Sequence, residues 1–100
     1  MERKGERMKT EKVNGHRIKC YDNGGKSCDR YTVVYLDEPY QYCSGDTGYC
    51  CLGMSEHPSH PQGFGQHCSC QVGKHLGKRI LFKDLPPDCQ DLVYGETALI

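Results

Sequence analysis

Arg30-Tyr31-Thr32-Val33-Val34-Tyr35-Leu36 is the stretch that decides the fold. β-Branched and aromatic side chains fill it, and these fit a pleated surface. Side chains alternate across a strand, so Tyr31, Val33 and Tyr35 line one face and Thr32, Val34 and Leu36 the other. Apolar groups on both faces predict a central strand covered, at least in part, on both sides. Asp37-Glu38-Pro39 is expected to break it, because proline donates nothing to a ladder. Tyr40 to Cys43 alternates again and would pair back as a hairpin.

Working toward the N-terminus, Asp22-Asn23-Gly24-Gly25 is a strong turn, since Asn and Gly tolerate positive φ. Before it, Val13, Ile18, Cys20 and Tyr21 mark a strand-like region with Asn14-Gly15 as a turn inside it. Working toward the C-terminus, Ser44 to Gly48 is a turn and Tyr49 to Met54 a strand. Alternating Pro and Gly exclude regular structure from Glu56 to Gln66. Cys68 to Val72 is a short strand, Gly73 to Gly77 a turn, and Arg79 to Phe82 a strand. A helix follows. Asp84 is its expected N-cap, with Pro86 and Pro87 tolerated in the first turn and Asp88 favourable to the dipole. Leu85, Cys89, Leu92 and Val93 share a face toward the sheet, and Gly95 is the expected C′ residue.

The fold class predicted is therefore α+β: a mostly antiparallel sheet of four to six strands with one C-terminal helix packed on one face. One hundred residues suit one domain. It is expected over 13–95, after a frayed basic arm (1–12) and before a short tail (96–100). The hydrophobic fraction is 36%, and eight cysteines and seven tyrosines are counted in it. The aliphatic core is thin, so tyrosines and reduced cysteines must complete it.

No apolar run approaches the ~20 residues that span a bilayer. The first 19 residues lack the apolar stretch of a secretory signal, so no membrane partner and a cytoplasmic location are expected. The formal charge is zero but uneven. Residues 1–19 carry a net of +4, 20–83 balance, and 84–100 carry −4. A basic arm touches phosphate non-specifically, or is simply a solvated terminus.

Tyr21-Asp22-Asn23-Gly24-Gly25, Asp29 to Val34, Gly53-Met54-Ser55, His60-Pro61-Gln62-Gly63-Phe64-Gly65-Gln66-His67 and Gly77 to Ile80 occur in this order. Asp84-Leu85-Pro86 and Asp88-Cys89-Gln90 follow. With these motifs, across about residues 18–94, the chain resembles a group of small uncharacterised bacterial proteins. The resemblance implies no activity.

The chemically densest stretch runs from His57 to Cys70. A binding loop is expected at His57, His60, Gln62, Phe64, Gln66 and His67. His57 and His60 each precede proline and are extended, about 9 Å apart in a polyproline-like run. Gly63 and Gly65 let His60 and His67 converge instead.

Four readings compete. A zinc site would use His67, Cys68 and Cys70 with a remote Cys43, Cys50, Cys51 or His60, since thiolate and imidazole suit zinc. Disulfides would suit a secreted domain, whereas reduced cysteines packed as small hydrophobes suit this one, with Cys20, Cys51 and Cys89 buried. A small hydrolytic enzyme would use His60 and His67 as acid and base beside Asp22, Asp29 or a cysteine, but no phosphate loop, nucleophile elbow or HExxH is present. The leading expectation is a small accessory or interaction protein with a polar His-containing loop, meeting protein or nucleic acid.

Overall fold

The computed structural model describes residues 10–26, 29–41, 45–58, 61, 63 and 65–99. The chain is an α+β domain. Six strands form one antiparallel sheet, and a helix near the C-terminus packs on one face. The strands are β1 (Glu11–Val13), β2 (His16–Asp22), β3 (Tyr31–Gln41), β4 (Thr47–Met54), β5 (Gly65–Cys70) and β6 (Lys78–Ile80). The helix, α1, spans Pro87–Leu99. Single 3-10 turns at Lys74–Leu76 and Phe82–Asp84 flank β6.

The sheet order is β1-β2-β3-β4-β5. β6 pairs β2 over Cys20, Tyr21 and Asp22, whereas β1 pairs it over His16, Arg17 and Ile18. The two short strands thus occupy successive halves of one β2 edge. Asn14 (φ 50) and Gly15 (φ 83) both stand at positive φ in the β1–β2 turn, the backbone that a tight two-residue hairpin demands.

β3 is central, as Arg30 to Leu36 predicts, but it runs further than expected. It does not stop at Asp37-Glu38-Pro39. Pairing with β4 jumps from Tyr35↔Cys50 to Pro39↔Tyr49, leaving Leu36, Asp37 and Glu38 as a bulge. A bulge carries proline past a ladder it cannot donate to. Asp37 pins it by accepting from Arg17 Nε (2.7 Å) and Arg17 N (3.0 Å).

Two clusters cover the sheet. On the helix face Ile18, Cys20, Val33, Tyr35, Leu52 and Met54 pack against Phe82, Leu85, Cys89 and Val93. On the other face Tyr21, Val34 and Cys51 are buried beneath Leu36, Tyr49, Cys70, Val72 and Leu76. Among the described residues no α-helix lies over that second, smaller cluster, to which the Lys74–Leu76 turn contributes Leu76.

The helix boundaries differ from the sequence expectation at both ends. Asp84 does not cap α1. Its carboxylate accepts from Leu81 N (3.1 Å) and closes the 3-10 turn instead, because two consecutive prolines delay the helix until Pro87. Gly95 does not end α1 either. The helix continues to Leu99, so residues 96–99 are helical rather than a tail. Its last turns are tied to the β1–β2 hairpin: Asn14 Nδ2 donates to Thr97 Oγ1 (2.9 Å), and Thr97 donates to Val93 O (2.9 Å). The expected arm also ends earlier, since Glu11 and Lys12 belong to β1, while residues 1–9 lie outside the described residues.

Candidate functional site

β4 and β5 carry most of the chemistry. Their register pairs Cys51 with Cys68 and Tyr49 with Cys70. Alternation then sets Cys51, Cys68 and Cys70 on the face without the helix, and His67 and Ser69 on the helix face. Directly opposed antiparallel residues stand about 4.5–5.5 Å apart at Cα, within the span of a disulfide. Cys51 Sγ lies 2.9 Å from Cys68 Sγ, less than an ångström beyond a disulfide bond of about 2.05 Å.

The three thiols differ in environment. Cys51 is 1% exposed, Cys70 is half-buried and Cys68 is open to solvent. A hydrogen bond between Cys51 and Cys70 holds the proton on Cys51. It pushes the Cys51 thiol well up, with burial and the contact to Cys68 acting the same way. The same hydrogen bond draws Cys70 below the ordinary thiol value, against its partial burial. Of this hydrogen-bonded pair, Cys70 is the thiol drawn toward ionisation, and the thiolate is the nucleophile. Cys20 and Cys89 behave oppositely. Each is buried in the helix-side core, and burial pushes each up to about 12. They pack as small hydrophobes, as expected; Cys89 donates weakly to Ser55 O at 3.4 Å.

His67 goes elsewhere. Its Nε2 meets Glu96 Oε1 of α1 at 2.5 Å. Side chains adjacent in a strand face opposite ways, so the sheet itself separates this imidazole from Cys68. Near the same corner, the Tyr35 hydroxyl is buried with no hydrogen-bond partner among the described residues. Burial, then the charge of Glu96, raises it above the usual phenol range.

The remaining expected positions scatter. His57 is exposed, and its carbonyl stands so near Gly63 that a Cβ there would come within 1.9 Å of it. Gln66 is exposed on β5, opposite Gly53. His60, Gln62 and Phe64 lie outside the described residues, as do Cys28 and Cys43. Of the remote partners the sequence leaves open, the fold supplies Cys51 to Cys68 and Cys70. Among the described residues, no group of three or more His, Cys, Asp or Glu side chains is arranged to hold a metal ion. Asp22 does not serve His67 either. It accepts from Arg30 Nε (2.9 Å) and Nη2 (3.2 Å) and from Gly24 N (2.8 Å). Arg30 thus bonds Asp22 across the turn.

Two features carry no signal in the sequence. One is Glu96 as the partner of His67. The other is a cavity of about 430 Å³ lined by Tyr21, Gly73, Lys74, Gly77, Lys78 and Arg79. No helix among the described residues is long and apolar enough to cross a membrane. No protein-family model, no curated protein and no solved structure matches the chain.

Proposed function

We propose that this chain is a small interaction domain whose working element is a thiol–disulfide exchange site made by Cys51, Cys68 and Cys70. The observation that carries this reading is the 2.9 Å approach of Cys51 Sγ to Cys68 Sγ on facing strands. The proton held by Cys51 on behalf of Cys70 supports it.

The exchange proceeds in three displacements. The Cys70 thiolate attacks one sulfur of an incoming disulfide R–S–S–R. That bond breaks, the first RS⁻ takes a proton from solvent, and Cys70 carries the mixed disulfide. Cys51 then gives up its proton and attacks Cys70 Sγ, releasing the second RS⁻. Finally Cys68, also losing its proton, attacks Cys51 Sγ and frees Cys70 as thiolate. Two protein thiols are oxidised to the Cys51–Cys68 disulfide and one R–S–S–R is reduced to two RSH. The two protons lost by Cys51 and Cys68 balance those gained. Attack through a mixed disulfide is the general course of such reactions.

The test oxidises the purified full chain with 2-hydroxyethyl disulfide and maps linked peptides by mass spectrometry after blocking free thiols. A Cys51–Cys68 link that a reductant reverses is expected. It should be absent in Cys68→Ser, a surface substitution that leaves the core intact. Recovery of Cys51, Cys68 and Cys70 as separately blocked thiols after oxidation would sink the reading.

A further inference from the structure

The face that carries the thiols also carries the basic cavity, and Tyr21 belongs to both. Tyr21 is buried in one cluster with Cys51, and Cys70 packs against that cluster. Three residues beyond Cys70 the chain reaches Gly73, the first glycine of the cavity wall. The other wall is β6. Arg79 is paired in register with Tyr21, and its guanidinium lies 5.8 Å over the Tyr21 ring. Such stacking is a cation–π contact, and it fixes a flat cationic group at the cavity floor.

The charge around this cavity has one sign. Lys74, Lys78 and Arg79 line it, and among the described residues no acidic side chain does. Asp22 stands opposite Lys78 in the ladder. Asp22 is already engaged by Arg30 and Gly24 N. The wall is also fixed in place. Gly77 has φ 109, and a Cβ there would lie 2.4 Å from Asp22 O. Only glycine permits so close a backbone approach at that φ. A chain with no net charge thus gathers three cations around an open space beside a thiol disposed to ionise.

From this juxtaposition we propose that the cavity between β2, β6 and the Lys74–Leu76 turn binds the carboxylate-bearing arm of a small anionic disulfide, whose sulfur is thereby delivered to Cys70. The proposal deepens the thiol-exchange reading and rests on it. Lys74 and Lys78 hold the anion as mobile point charges. Arg79, held over Tyr21, adds its positive charge to that wall. Binding at the cavity raises the local concentration of the disulfide at Cys70, as charge-lined clefts do for oppositely charged ligands.

The experiment compares two probes on the purified full chain: oxidised glutathione, which is anionic, and 2-hydroxyethyl disulfide, which is neutral. The readout is the rate at which the Cys51–Cys68 disulfide appears, followed by mass spectrometry after blocking free thiols, each rate divided by that of a free model thiol with the same probe at the same pH. The normalised rate for oxidised glutathione should exceed that for the neutral probe about tenfold at low salt and fall as salt screens the cavity. In Lys74→Gln/Lys78→Gln, both surface positions, that preference should fall at least fivefold. Equal normalised rates in the unaltered chain overturn the cavity proposal and leave the exchange site standing. A preference that survives intact in the double variant also overturns it, by placing the anion elsewhere. Failure of both probes to produce the Cys51–Cys68 disulfide defeats the exchange site itself and the proposal with it.

Discussion

Replacing Gly95 by alanine gives opposite results for the two places this glycine could occupy. At a C′ position the residue is left-handed, and alanine there destabilises. Within a helix, glycine is the poorer residue by about 0.5–1 kcal/mol relative to alanine. The structure sets Gly95 inside Pro87–Leu99, and it is absent from the glycines at positive φ. A Cβ built on it meets nothing within 4 Å. The substitution therefore creates no clash and gains no contact, so the helix propensity is the whole effect. Gly95→Ala should stabilise the chain by about 0.5–1 kcal/mol. For a domain of this size that raises Tm by about 2–8 °C. Thermal unfolding followed by circular dichroism at 222 nm, with reductant in both samples, measures it. A fall in Tm would mean that α1 stops at Gly95, and it would also remove Glu96 from its place against His67.

Tyr35→Phe deletes a buried hydroxyl that has no partner among the described residues. Relief of a penalty of about 1–3 kcal/mol should leave the variant as stable or more stable in urea unfolding. A loss beyond about 1 kcal/mol would show that the hydroxyl is bonded, with Glu96 the first suspect. Asp22→Asn tests the turn that positions Gly77 and β6. Arg30, and after it the Gly24 amide, hold the Asp22 carboxyl below its ordinary 3.8. A lowered folded value contributes stability above the unfolded value and loses it as pH falls through the folded one. The variant should therefore be less stable by about 1 kcal/mol at neutral pH. The difference should narrow as pH falls through the lowered folded value, until both chains carry an uncharged group. A gap in urea midpoints that persists at acid pH contradicts that account.

Much of the fold was legible because local chemistry and global need agree. Arg30 to Leu36 alternates apolar groups on both faces, and the sheet buries both. Asn14-Gly15 has the two residue types that a tight hairpin turn accepts. Cys20, Cys51 and Cys89 are buried as expected, Cys20 and Cys89 as small hydrophobes. What failed were boundaries set by tertiary contact. Pro39 reads as a stop, yet Arg17 reaches across from β2 to Asp37 and lets β3 continue through a bulge. Gly95 reads as an end, yet Asn14, distant in sequence, ties Thr97 into a further turn of helix. The site was legible only as an inventory. Cys68 and Cys70 stand out by their spacing, but choosing Cys51 as their neighbour requires the β4–β5 register. A slip of one residue would have turned Cys51 to the other face and put Cys50 in its place. For the same reason His67, adjacent to Cys68 in sequence, belongs to a different environment altogether.

The shared edge of β2 has a consequence for how the chain is made. During synthesis from the N-terminus, β1 can cover only His16 to Ile18, and the half from Cys20 to Asp22 waits for residues 78–80. An uncovered strand edge is a template for another chain. Closing it late, through contacts far apart in sequence, makes folding slower. Lys78 and Arg79 are thus the residues that finish the sheet as well as residues that line the cavity. A nascent chain halted before them would expose an open edge and have no basic pocket. The β2 edge is completed at the same step that assembles the basic cavity.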